Sequence, residues 1–290
     1  MCFAPQYVAE TLLRSEGFTD IAYLKKASPM DSYRALASGE ADVTFAFGVP
    51  LVARIDAGDR IVFLAGGHIG CQQLFANDRV HAIRDLKGKR IPMSDVGGGD
   101  YLFISTMISY VGLNPHKDVT WISHGGSEVE SMQIFVEGKA DACVLSAPFP
   151  EELIARKIGH AVVNTSVDRP WSQYFCCMIA GNRDFVRANP IATKRALRAI
   201  LKGAEVCARE PQRVARSLVD KGFAKEYEYV AQAIKDIPYS KWREYDPEDT
   251  VRFYALRLHE AGLIKSSPQK IIAQGTDWRF LNELKRELKG

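Results

Sequence analysis

Residues 94–101 read SDVGGGDY, three adjacent glycines (Gly97, Gly98, Gly99) followed by Asp100, Tyr101 and an apolar run at helical spacing through Leu102, Ile104, Ile108 and Val111. A strand over 89–93, a tight glycine turn and a helix start leave several backbone N–H groups aimed at one point. The helix dipole makes that point favourable for a negative group. The chemistry on offer is anion binding by backbone amides. Asp100 stands where it can itself cap the helix, and glycines also serve simple turns.

More specific chemistries fail on spacing. VGGGDY is not GxGxxG, and no GK[ST] follows the glycines, so neither a dinucleotide turn nor a P-loop is present. No HExxH occurs, and the six histidines form no ligand cluster along the chain; only a spatial meeting of His68 and His124 would reopen metal binding. Ser127 in GSEVE lacks the GxSxG frame and reads as a helix cap. Cys2, Cys71, Cys143, Cys176, Cys177 and Cys207 show no CxxC spacing and suit small buried thiols.

What remains is a set of polar, glycine and aromatic residues at expected strand ends. They are Phe47 and Gly48, Gly66 to His68 with Gly67 between them, the turn from Gly97 to Tyr101, His124, Ser127 and Ser146. Gln6 and Tyr7 in the first helix and Gln173 and Tyr174 at a crossover complete it. Singly each suits a structural role; together they converge on one crevice, where open α/β sheets bind ligands. They supply hydrogen bonds and helix starts but no nucleophile–base pair. The expectation is a binder rather than an enzyme, with no cofactor and no bound metal.

The elements that position these residues alternate between strand and helix. Helices are expected over 5–15, 30–38, 51–57, 129–137 and 148–156, strands over 18–25, 61–65, 119–122 and 161–164, and a helix stop followed by a strand within 39–47 and again within 138–148. GEADVTFAFGVP (39–50) and GKADACVLSAPFP (138–150) echo one another: a helix stop, a buried strand, then a proline-opened helix. Two lobes on one local plan follow from that echo. From residue 184 the chain turns helical. With 290 residues, 47% of them hydrophobic, it is long enough for two folded units. A net charge of +3 and the lack of a dense Lys/Arg block argue against nucleic acid, and no run approaches a membrane span.

The segments PQYVAE, ALASGEADVTFA, IVFLAGGHIGC, IRDLKGKRIPM, VGLNPHKDVTWI, EGKADACVLSAP, FCCMIAGNRDFVRANP and IPYSKWREYDPEDT together resemble the periplasmic substrate-binding proteins of nitrate, sulfonate and taurine type ABC importers. That family also includes binders of thiamine-pyrimidine precursors and a pyrimidine synthase. The resemblance implies an α/β, two-lobed periplasmic binding protein type II fold with a hinge and an inter-lobe ligand cleft. It implies a first lobe from 1–76, a second from 77–173, and a return to the first lobe with C-terminal helices over 174–290. It implies a monomer that takes a small, often anionic solute (sulfonate, taurine, nitrate or a pyrimidine-like aromatic) and docks on a membrane permease. Carried over, the ligand contacts are Gln6, Tyr7, Phe47, Gly48, Gly66 to His68, Gly97 to Tyr101 and Ser146. Periplasmic location is implied as well, although MCFAPQYVAE shows neither a signal peptide nor the family's first strand; a genuine start at Met1 would mean the cytoplasm. The alternatives are a synthase-like enzyme or a small-molecule sensor using the same cleft. The synthase carries a CCCFC-type motif, whereas Cys176 and Cys177 here stand alone in an apolar run.

Overall fold

Ser28, Ser127, Asn182, Asp246 and Ser267 each accept a backbone N–H at a helix start, so much of the helical punctuation is set by local side-chain caps. The computed structural model describes residues 2–288. The first part of the chain runs α1 (Ala4–Ser15), α2 (Pro29–Ser38), β1 (Val43–Phe47), α3 (Gly48–Asp56), β2 (Ile61–Ile69) and β3 (Gln72–Ala76). Then come β4 (Arg90–Met93), α4 (Gly99–Tyr110), β5 (Thr120–Ser123), α5 (Glu128–Val136), β6 (Ala142–Ser146), α6 (Phe149–Ala155) and β7 (His160–Asn164). The return is β8 (Phe175–Asn182), followed by α7 (Arg183–Ala188), α8 (Pro190–Arg209), α9 (Pro211–Asp220), α10 (Tyr227–Asp236), α11 (Pro247–Glu260), α12 (Pro268–Gly275) and α13 (Arg279–Glu287). No helix among the described residues is long and apolar enough to cross a membrane.

Three sheets carry these strands. In the first, β8 lies between β1 and β2 and is antiparallel to both, and all eight of its residues are buried. In the second, β3 lies between β6 and β7. The third is the parallel pair β4–β5. Asp141 joins the last two: its N–H donates to Arg90 O (2.9 Å) and its carbonyl accepts from Asn77 N (3.0 Å). Its carboxylate takes Arg90 N (3.0 Å), Arg90 Nε (3.1 Å) and Asn77 Nδ2 (3.2 Å), with Arg79 closing on the same group. Burial pushes this carboxyl upward, but the hydrogen bonds from Arg90 and Asn77 outweigh it and hold the pKa down to about 2.

The expected echo is real. Gly39 and Gly138 both stop helices in the left-handed conformation (φ +82° and +70°), and β1–α3 and β6–α6 follow at matching positions. Two expectations need correction. Residues 18–25 form no strand, because among the described residues no strand runs beside them; the segment is tied instead by Tyr23 Oη donating to Gln6 O (2.8 Å) and by the Lys26–Glu40 ion pair. The strand from Ile61 runs to Ile69 and not to residue 65, so Gly66 to His68 lie inside it rather than at its end.

The chain passes between the first and second sheets twice, at 70–71 and at 165–174, and the two passages touch. Thr165 Oγ1 donates to Gln72 O (2.7 Å) and accepts from Gln72 N (3.1 Å), while Thr165 N donates to the same carbonyl (3.1 Å). Gly70 has φ +74°, and a Cβ there would stand 2.1 Å from Ser166 Oγ. Gly70→Ala is therefore expected to cost at least about 1–2 kcal/mol from the left-handed backbone alone, read as a lower denaturant midpoint. Asp141→Asn is expected to cost about 1.5–3 kcal/mol at neutral pH. Because the folded pKa is depressed from 3.8 to about 2, the wild type's advantage is present above pH 3.8 and disappears as pH falls through about 2. Denaturant titrations of both proteins across that range check this.

Candidate functional site

The seam between the two sheet systems is built where α3 and α4 begin. β1 ends at Phe47, whose extended backbone starts α3 at Gly48. A Cβ on Gly48 would meet Met178 Cγ at 2.9 Å, so the glycine allows α3 to start against β8. Opposite, α4 starts at Gly99, where a Cβ would meet Phe47 Cδ1 at 3.1 Å and Pro50 Cγ at 3.3 Å. Phe47 and Phe103 pack edge to face across the seam at 5.3 Å. Of the expected residues, Phe47 and Gly99 are thus brought into contact across the seam.

The Asp100 carboxylate lies against the glycine turn. Its Oδ2 accepts from Ser94 N (2.6 Å), and Oδ1 accepts from Ser94 Oγ (2.8 Å) and Tyr101 N (2.8 Å). Within the turn, Gly98 N donates to Asp95 O (2.9 Å). Gly97 supplies the left-handed turn residue (φ +89°), and a Cβ on Gly98 would stand 2.5 Å from Ser94 Oγ and 2.9 Å from Asp100 Oδ1. Gly98 is therefore needed for the cap itself. Tyr101 is buried edge-on against Trp121 at 4.9 Å.

The same arrangement recurs along this edge. Ser127 caps α5 in a reciprocal box with Glu130, whose Oε2 accepts from Ser127 N (2.8 Å). Ser146, at the end of β6, donates its Oγ to Glu128 Oε2 (2.6 Å) and its N–H to Glu128 Oε1. Burial pushes the Glu128 carboxyl from 4.5 up to about 7; the Ser146 hydrogen bonds oppose the rise and the Asp100 charge adds to it. Asp100 also acts on Tyr33 of α2, whose hydroxyl is raised first by burial and then by Cys177, Cys176 and Asp100. Among the described residues, no lysine or arginine pairs with Asp100 or Glu128. Glu128 and Tyr33 carry no motif: Glu128 reads as an ordinary first-turn acid after a cap, and Tyr33 as one residue of an amphipathic helix.

The other expected residues lie elsewhere. Gln6 Oε1 accepts from Phe45 N (3.3 Å), satisfying the free edge of β1. Tyr7 stacks on Phe223 at 4.1 Å. A Cβ on Gly67 would stand 2.3 Å from Phe45 Cζ, so this glycine serves sheet packing. His124 is held between Ser131 Oγ (2.8 Å at Nε2) and Gly126 N (3.1 Å at Nδ1). Gln173 is exposed, and Tyr174 stacks on Phe253 of α11 at 3.9 Å. His68 is fully buried, with Nδ1 3.0 Å from Ile69 O and Nε2 3.1 Å from Cys2 O. Burial lowers its pKa to about 4 against the pull of both carbonyls, so the ring is neutral at pH 7. His68 and His124 do not meet; His68 instead shares its surroundings with Cys2, Cys71 and Cys177, which the sequence scatters too widely to read as a cluster. Surface depressions of about 420 Å³ beside Arg195 and about 430 Å³ beside Arg34 both lie away from the seam residues.

A search of curated proteins finds no match to the chain. Solved structures match it closely in fold. The periplasmic nitrate-binding protein NrtA of Synechocystis PCC 6803 superposes with a TM-score of 0.81 at 16% identity, covering 99% of this chain and 86% of that one. The alkanesulfonate-binding protein SsuA of Xanthomonas axonopodis pv. citri gives 0.76 at 15% identity, covering 91% and 92%. The desulfurization enzyme DSZB gives 0.66 at 17% identity, covering 99% and 96%. At these identities the likeness establishes the two-lobed periplasmic binding protein fold and leaves the activity to the site. A family model described as NMT1/THI5 like matches residues 3–214. The chain belongs to the NMT1/THI5-like family.

Proposed function

We propose that this protein is the solute-binding component of an ABC importer. On this reading its two lobes close over a small organic solute, and the closed form delivers that solute to a membrane permease from the periplasmic side, as a monomer. On this reading the first lobe comprises 2–70 and 174–288 and the second 71–173; the pairing of β3 with β6 and β7 supports a boundary near 70. Closure is favoured when a solute makes contacts to both lobes that the open form lacks.

The observation that carries the reading further is the acidic, aromatic seam. Phe47 and Phe103 pack edge to face where the lobes meet, Tyr33 is buried on α2, and Asp100 and Glu128 are two carboxylates whose charges act on one another. An acid already sits on one N–H at each helix start, Asp100 on Tyr101 N at α4 and Glu130 on Ser127 N at α5. We infer that the solute is a heteroaromatic ring bearing an amine or amidine, an aminopyrimidine-like compound, rather than nitrate or a sulfonate. A flat ring suits the aromatic wall, and N–H donors suit the carboxylates. Binding without turnover is supported by the thiols. Burial pushes Cys71, Cys143, Cys176, Cys177 and Cys207 upward; Cys2 is also raised, its Cys177 contact opposing what Cys71 and burial add. A nucleophilic cysteine requires the opposite shift.

A thermal-shift series on the purified full chain tests the proposal with aminopyrimidines, aromatic amines, taurine, alkanesulfonates and nitrate. An aminopyrimidine at a hundred times its Kd is expected to stabilise the fold by about 2.7 kcal/mol. Stabilisation by the anions alone would reverse the inferred solute class, and stabilisation by none of a broad solute library would remove the transport role.

The Glu128 carboxyl adds a pH signature. Its folded pKa is raised from 4.5 to about 7, so the folded chain holds the extra proton and its stability falls as pH climbs from 4.5 through 7. Glu128→Gln is expected to flatten that slope in denaturant titrations and to weaken aminopyrimidine binding about tenfold or more above pH 7, read by calorimetry.

A further inference from the structure

Four residues from four separate places meet beside the hinge. Cys2 precedes α1, His68 lies near the end of β2, Cys71 sits on the first passage between the lobes, and Cys177 is in β8. One ligand atom from each lies within 4.8 Å of all the others, and all four residues are buried. We propose that these side chains form a closed, tetrahedral zinc site that ties the N-terminal segment, β2 and β8 to the hinge.

The donor set suits the ion. Three thiolates and one imidazole are a combination that structural zinc sites use, and four protein ligands leave no open position for catalysis. Zn–S bonds of about 2.3 Å in a tetrahedron put sulfurs roughly 3.8 Å apart, so the cluster need contract by only about 1 Å. Binding balances as one Zn²⁺ taken up and three thiol protons released to solvent, with no change of oxidation state.

His68 supplies the second observation. Both of its ring nitrogens face carbonyl oxygens, Ile69 O at 3.0 Å and Cys2 O at 3.1 Å. A singly protonated imidazole donates to one of them and leaves its other lone pair against an acceptor, an unmet demand in a fully buried residue. Zinc on that lone pair, with the remaining N–H held by a carbonyl, is the arrangement in which metal-bound histidines are fixed. The ring is already oriented by Phe45, stacked at 5.7 Å, and by Tyr239, edge-on at 5.2 Å. Cys71 is held at φ +81°, a backbone region its side chain disfavours, which aims it at the cluster at an energetic cost. Cys176 Sγ lies 3.0 Å from Cys71 Sγ and is a neighbour rather than one of the four.

The test uses the full chain, reduced, freed of metal by a chelator and checked for folding by circular dichroism. One equivalent of Co²⁺ is expected to produce the intense visible absorption of a tetrahedral thiolate site, and one equivalent of Zn²⁺ to abolish it and raise Tm. Elemental analysis after dialysis is expected to give one zinc per chain. Cys2→Ser, a near-isosteric change in the segment before α1, should stay folded and lose at least tenfold in zinc affinity, as should His68→Gln; Cys207→Ser, buried outside the cluster, should keep wild-type affinity. A folded wild-type chain that shows only weak octahedral cobalt absorption overturns the proposal. So does undiminished affinity in both Cys2→Ser and His68→Gln. If chelation unfolds the wild type, recovery of the fold by zinc supports the site and refolding that proceeds equally without metal overturns it.

Discussion

The first sheet depends on a strand that the chain reaches only after the second sheet. Its central strand, β8, follows residue 174, and β1 and β2 each hydrogen-bond to it, while Phe45 of β1 also stacks on His68 of β2. Every residue of β8 is buried, so Phe175, Cys176, Cys177, Met178 and Ile179 leave water only when both edge strands are in place. The contacts that close the first sheet are therefore long in sequence separation, which slows folding. The same strand supplies one wall of the cysteine cluster and supports Gly48 at the seam, so hinge, core and candidate site share one element.

Local rules were legible and long-range ones were not. The helix stops at Gly39 and Gly138, the capping box of Ser127 and Glu130, and the strand–turn–helix at Gly97 to Gly99 depend on residues within a few positions of each other, and each appears where the spacing predicts it. Residues 18–25 have strand-like composition, yet a strand needs a neighbour, and none among the described residues lies beside it. Gly66 to His68 read as a loop because glycine marks turns, but Gly66 and Gly67 answer the rings of Phe175 and Phe45 pressing on the sheet. The cysteine cluster draws on positions 2, 68, 71 and 177, a spacing no local pattern can announce.

The site teaches a related lesson about helix starts. The starts of α4 and α5 look like receptors for an anion, yet each already has an acid on one N–H, Asp100 on Tyr101 N and Glu130 on Ser127 N. Each start thus carries a carboxylate over the positive end of its dipole. A capping residue that stabilises the helix can in this way reverse the sign of the surface that the helix presents.

The pairing of Thr165 with Gln72 has a consequence for how the molecule is assembled as a gene product. The second lobe enters and leaves through one doorway, with its two ends hydrogen-bonded together. Such a module is topologically an insertion: its ends could be joined to each other, or the module exchanged for another with the same end spacing, without altering the course of the remaining chain. The doorway is also a two-stranded torsion spring, because any turning of one lobe against the other must twist both strands at once.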